Sequence, residues 1–258
     1  MPATAMKHFR EDIARARIIV THADQLPTDP ADKKLLRADL LRSAWMFAVG
    51  ALDAYFCDAY TDIVAATIIS KSRHPAMILS GFFYDIKFPV RAILEPYTNA
   101  NWRWRMAARK MMEWENVLSL KQIQELFNRF LRHDRRFYRD LVLDSWIAHP
   151  ESSRRLFGIT RTGFAALDPA DKGAARVVAK KQMDERFRSI FQRRHDCIHN
   201  CDRPKVSPQE LASGGTVVKV IQDVEFLVGR CDEHIAAEFR QFLGDAGCPP
   251  AIVNQAGY

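Results

Sequence analysis

Leu40-Leu41-Arg42-Ser43-Ala44-Trp45-Met46-Phe47-Ala48-Val49-Gly50-Ala51-Leu52-Asp53-Ala54-Tyr55 holds the longest charge-free apolar run of the chain, and its spacing decides the fold class. Leu41, Trp45, Ala48, Leu52 and Tyr55 recur at three- and four-residue steps, the repeat of one face of an α-helix. Met46, Phe47 and Val49 fall off that stripe, so the segment reads as a helix buried on most sides. The uncharged run from Ser43 to Leu52 is about half the roughly 20 residues needed to cross a bilayer. It belongs in a protein core, and no membrane contact is expected.

Working outward, Pro30 precedes this helix, which is expected over residues 31 to about 70, with a shorter amphipathic helix over 5–24 before it. Pro75, Gly81, Pro89 and Pro96 interrupt any periodicity from 72 to 100, a length uncommon for a loop unless it has a task or contains short helices. Ser119 with Gln122 forms a capping box opening a helix through about Leu131, and a further helix is expected from about Arg135 to Ile147. Asp168-Pro169 supplies an N-cap and a first-turn proline for a helix able to run into residues 193–205. A loop follows from about Asp202 to Gly215; Thr216 is expected to cap the last long helix and Gly244 to end it. Alternating β-branched runs bounded by turn signals are missing, so the fold class is all-α.

Composition bounds the rest. With 258 residues and 48% hydrophobic content, one sizeable core is expected, over residues 31–245, with an N-terminal helical extension at 1–30 and a tail at 246–258. Residues 6–18 carry Lys7, Arg10, Glu11, Asp12, Arg15 and Arg17 in place of the apolar core of a signal peptide, which places the protein in the cytoplasm as an expectation. Five cysteines then read as reduced thiols. The formal charge of +7 attracts polyanions without identifying one and equally well serves solubility.

Arg193-Arg194-His195-Asp196-Cys197-Ile198-His199-Asn200-Cys201-Asp202-Arg203-Pro204-Lys205 is the one place where guanidinium, imidazole and amide groups crowd together. On a continuous helix His195 and His199 share one face, while Cys197 and Cys201 share another about 160–200° away. That separation argues against a tetrahedral zinc site built from the four, unless the helix breaks. A histidine beside a permanent cation can instead move a proton while the cation stabilises negative charge on a phosphate. The plain structural alternative is a set of solvated basic residues near a helix C-terminus, where the dipole favours them.

Arg194-His195-x-x-x-His199 resembles the Arg-polar-x-x-x-His signature of HEPN-domain ribonucleases, with His199-Asn200-Cys201-Asp202 in place of the more usual His-Glu-Gly-Asp. The segment from Leu40 to Tyr55 is similar to the first core helix of the RiboL-PSP branch of that family. The resemblance implies a HEPN-like helical bundle with long core helices that dimerises, sets Arg and His from two chains around a shared cleft, and cuts RNA without a metal or other cofactor. It also implies a toxin or antiphage-defence role, with an antitoxin or defence-system partner. The other reading of the same likeness is a noncatalytic helical module that binds RNA or protein.

An ordinary imidazole can accept the ribose 2′-hydroxyl proton near neutral pH, which gives His199 the role of general base. Arg194 can pair in fork fashion with nonbridging phosphate oxygens as the 2′-oxygen attacks. His195 is expected to protonate the leaving 5′-oxygen or to bind the backbone. Because DNA lacks the 2′-hydroxyl, RNA is the expected substrate, with a 2′,3′-cyclic phosphate and a 5′-hydroxyl as product ends. Arg193, Asn200, Arg203, Lys205, Arg132 and Arg136 are the expected RNA contacts. Asp53 either orients a catalytic group or satisfies a polar spot in the core. Arg129, Arg132, Arg135, Arg136 and Arg139 interleave with Phe130, Phe137 and Tyr138, which suits phosphate contacts with base stacking, or equally a core of aromatics under solvated arginines. At least one of Trp102 and Trp104 is expected inside or at a dimer contact.

Overall fold

Apolar positions at three- and four-residue spacing become buried helix faces in the computed structural model, which describes residues 3–97, 99, 101–113, 115, 117–199 and 213–256. The order is α1 (Ala3–Gln25), α2 (Ala31–Arg73), α3 (Gly81–Tyr84), α4 (Val90–Leu94), α5 (Trp102–Met112) and α6 (Leu120–Phe127), followed by α7 (Asp140–Ile147), α8 (Arg154–Phe157), α9 (Arg161–Ala165), α10 (Pro169–His199), α11 (Gly214–Asp245) and α12 (Pro250–Gln255). No strand occurs among the described residues, so the protein is all-α. None of these helices is long and apolar enough to cross a membrane.

The chain divides into two compact units, the first made of His8–Leu52 and Tyr138–Arg230, the second of Met1–Lys7, Asp53–Phe137 and Cys231–Tyr258. This differs from the expected division into an extension, one domain and a tail. Residues 1–30 are not set apart, because Phe9, Ile13, Ala16, Val20 and Ala23 of α1 are buried in helical register. The tail is tied in as well: Ile78 donates its backbone N–H to the Ala246 carbonyl at 2.9 Å.

In the first unit Leu41, Ala44, Trp45, Ala48, Val49 and Leu52 of α2 are buried, while Phe47 is exposed, so that helix keeps one open side. Full burial of a large apolar side chain contributes about 1.5–3 kcal/mol. Trp45 also satisfies its indole nitrogen, donating to the Ile190 carbonyl of α10 at 3.1 Å. Asp223 of α11, only 1% exposed, accepts from Arg155 of α8 and Arg186 of α10 and joins three helices through one carboxylate. Gly214 packs closely under Asp24, and a Cβ there would make the exposed Asp24 carboxylate turn aside.

The core of the second unit is aromatic. Phe130 is met edge-on by Tyr60, Phe82, Phe83, Phe239 and Phe242, with ring centroids 5.3–6.5 Å away. Such edge-to-face contacts add to area burial.

Several boundaries depart from expectation for local reasons. The capping box holds, with Ser119 accepting the Gln122 N–H at 3.0 Å, but α6 stops at Phe127. Asn128 Oδ1 takes the Phe137 N–H at 2.8 Å, Arg136 is extended and Tyr138 is left-handed at φ 65°, so the helix expected from Arg135 begins only at Asp140. Thr216 lies inside α11, which starts at Gly214 and runs through Gly244. The C-terminal stop is left-handed Gly247: its N–H and that of Cys248 return to the carbonyls of Gly244 and Leu243, satisfying the last turn.

Candidate functional site

Ala179, Met183, Phe187, Ile190 and Phe191 bury one side of α10, and this fixes where its last turns point. Arg193 continues that side and is 8% exposed. Arg194 is half-buried, and His195 and His199 are exposed. The two imidazoles are neighbours, with ring centroids 4.3 Å apart and planes inclined by 41°. They stand side by side at one helical turn.

α10 is continuous to His199. At about 100° per residue, His195 and His199 differ by about 40° around the axis, whereas Arg194 and His199 differ by about 140° and by about 7.5 Å along it. One chain therefore brings together the two histidines, and does not bring Arg194 to His199. Asp196 stands about 60° beyond His199 and is engaged with Gln192, whose amide donates to Oδ1 at 2.9 Å. Cys197 lies on the far side from both imidazoles, as the helical spacing required, and among the described residues no group of three or more His, Cys, Asp or Glu is placed to hold a metal. Asn200, Cys201, Arg203 and Lys205 fall outside the described residues.

The remaining expected contacts belong to the second unit. Arg132 binds the buried Glu238 through Nε and Nη2, both at 3.0 Å, which leaves Nη1 for any other acceptor. Arg136 is exposed beside Lys121, Gln124, Asn128 and Arg129 around a shallow depression. Phe130 and Phe137 are 2% and 3% exposed, so the stacking half of the arginine and aromatic pattern fails and the core reading of those rings holds. Asp53 is half-buried in α2. Trp102 is exposed and Trp104 half-buried, so neither tryptophan is fully inside.

Sequence reasoning missed a charge ladder in the second unit. Asp58 and Asp62 stand one turn apart on α2, and Arg105 and Arg109 stand one turn apart on α5. Arg105 Nε donates to Asp62 Oδ1 at 2.6 Å, and Arg109 Nη1 lies 3.5 Å from Asp58 Oδ1. The matching four-residue steps were the available signal. Burial pushes the Asp62 carboxyl above the usual carboxylate range, against the opposing pull of Arg105. Cys57, on the same stretch of α2, is pushed up to about 12 by burial first and then by Asp53 and Asp58.

No protein-family model matches this chain. Neither a curated protein nor a solved structure matches it significantly.

Proposed function

We propose that this protein is a metal-independent endoribonuclease of the HEPN type, acting as a homodimer. The observation that carries the reading is the His195–His199 pair, two exposed imidazoles 4.3 Å apart at the end of α10, with Arg194 on the adjoining face. Two neighbouring imidazoles supply what RNA transesterification asks for: a neutral ring to take the 2′-hydroxyl proton and a charged ring to protonate the 5′-oxygen. His199 is assigned the first task and His195 the second.

Negative charge growing on the nonbridging oxygens needs a fork of N–H donors, which is the role given to Arg194. Since Arg194 and His199 of one helix point about 140° apart, the reading requires Arg194 of a second copy to face His199 across the dimer. Arg193, buried on the core side of α10, takes no part in this scheme. A restraining partner, such as an antitoxin, fits an enzyme that cuts cellular RNA.

The test is incubation of the purified protein with total RNA in EDTA, beside His199→Ala, His195→Ala and Arg194→Ala. Cleavage that survives chelation, leaves 2′,3′-cyclic phosphate ends and disappears in His199→Ala and Arg194→Ala supports the enzyme. Intact RNA with retained binding would replace it with a noncatalytic RNA-binding module.

A further inference from the structure

In the first unit, the outer edge of α2 carries a second line of residues beside its buried stripe. Leu36, Leu40, Ser43, Phe47 and Gly50 follow one another at steps of four, three, four and three, so all five lie within about 40° of Leu36 along about 21 Å of helix. That alternation is the seam a helix shows to another helix in a coiled coil. Leu36 is 45% exposed and Phe47 38%, while Leu40, Ser43 and Gly50 are half-buried. The Ser43 hydroxyl donates to the Asp39 carbonyl at 2.9 Å, so the middle of the line makes no unmet polar demand on whatever covers it.

The two ends of this line differ in shape. Around Gly50 the surface falls into a shallow depression of about 340 Å³ lined by Asp12, Arg15, Met46, Phe47, Gly50 and Ala51, and a Cβ added at Gly50 would meet nothing within 4 Å among the described residues. At the other end Leu36 projects. Ser43 lies midway between them, seven residues from each. A second α2 laid antiparallel across a two-fold axis at Ser43 therefore sets Leu36 of each copy over Gly50 of the other, a knob opposite a hole at both ends. Leu40 then comes beside Phe47, and the small Ser43 and Gly50 let the two helix axes approach to the roughly 8–10 Å of packed helices.

The neighbouring α1 obeys the same symmetry. Arg37 Nη2 donates to Asp24 Oδ1 at 2.9 Å and the Arg15 guanidinium stands 4.9 Å from the Phe47 ring centroid, so α1 runs antiparallel to α2, and Ile18, 56% exposed, falls level with Ser43. Charges around the seam cancel in pairs: Arg15 with Asp12, Arg37 with Asp24, Arg42 with Asp39. A neutral surface gives no pull on a polyanion such as RNA and raises no like-charge barrier to a copy of itself. We propose that this edge of α2 is the contact through which two copies of the chain pair, with Leu36 of each seated beside Gly50 of the other. The contact gives the proposed nuclease the dimer on which that reading rests, and its formation depends on α2 and not on the histidines.

The experiment is analytical ultracentrifugation of the full chain over a dilution series, with circular dichroism to follow the fold. The wild-type chain is expected to dimerise, and Leu36→Ala, which removes the knob, and Gly50→Leu, which fills the hole, should each weaken the dimer by about tenfold or more. Both side chains face open space in the single chain, and leucine is a better helix former than glycine, so neither change should impair folding. The double variant exchanges knob and hole and should regain much of the lost affinity, which a general loss of structure would not do. A monomeric wild-type chain, a dimer unaltered by both single substitutions, or a double variant no tighter than the weaker single one would overturn the contact. RNA cleavage is read separately: a dimer that ignores both substitutions and still cuts RNA retires this contact alone, whereas a dimer sensitive to both that cuts no RNA supports the contact and retires the nuclease.

Discussion

Replacing Asp223 by asparagine removes one negative charge from the place where α8, α10 and α11 meet. The carboxylate is 1% exposed and accepts Arg155 Nε at 2.9 and 3.0 Å, Arg155 Nη2 at 2.6 Å and Arg186 Nε at 2.8 Å. Breaking a buried ion pair from one side costs about 3–5 kcal/mol, because the other charge is left desolvated. Here the stranded arginines retain 30% and 20% exposure and can turn toward water, which puts the expected loss at the lower end, about 3 kcal/mol. For a chain of this size that corresponds to a fall in Tm of roughly 6–12 °C. Urea unfolding followed by far-UV circular dichroism measures it, with an unchanged slope identifying a pure stability effect. Neutralising Arg155 and Arg186 together with Asp223 should recover part of the loss, since no charge then stays buried without its counter-ion. A cost below about 1 kcal/mol for Asp223→Asn would refute the claim that this carboxylate pins α10.

Three other outcomes follow from the second unit. Arg132→Ala removes both hydrogen bonds to the buried Glu238 and leaves Arg135, 4.0 Å away, as the nearest guanidinium, so the variant should unfold at a lower urea concentration than the parent; an unchanged midpoint would contradict a structural role for the pair. His234 donates to the Arg135 carbonyl at 2.6 Å, and burial lowers its pKa below the ordinary imidazole value. The unfolded chain therefore binds the proton first, so this histidine's contribution is complete above about pH 6.5 and declines as pH falls below it. His234→Gln should flatten that acid limb of the stability–pH curve, and an unaltered limb would contradict the assignment. Cys57, with its thiol pushed up to about 12, should resist iodoacetamide at pH 8 in the native protein and react after unfolding, as read by mass spectrometry.

The all-α class was legible because helix-periodic apolar positions are a local signal: Leu41, Trp45, Ala48, Leu52 and Tyr55 all proved buried on α2. Proline and serine starts were equally local, as Ser119 and Pro169 show. Helix ends were less so. The break near residues 128–139 depends on the Asn128 side chain reaching a backbone N–H nine residues away, and the stop of α11 depends on a left-handed Gly247, three residues past the glycine expected to provide it.

At the candidate site, one face holding His195 and His199 could be read from spacing alone, and the rings do meet. What spacing could not supply is long-range pairing. Arg132 meets Glu238 across 106 residues, Arg105 meets Asp62 across 43, and the aromatic rings read as stacking surfaces fill the core. None of these partnerships leaves a mark within a local window of sequence.

The most direct measurement mixes two inactive proteins. If a catalytic centre takes His199 from one chain and Arg194 from another, His199→Ala and Arg194→Ala, each silent by itself, should regain RNA cleavage when combined under conditions that allow subunit exchange. Random pairing leaves half the dimers mixed with one intact centre of two, so about a quarter of the wild-type rate is expected. Two variants that stay inactive after verified exchange, or a wild-type chain that cuts RNA as a monomer, would contradict the shared centre.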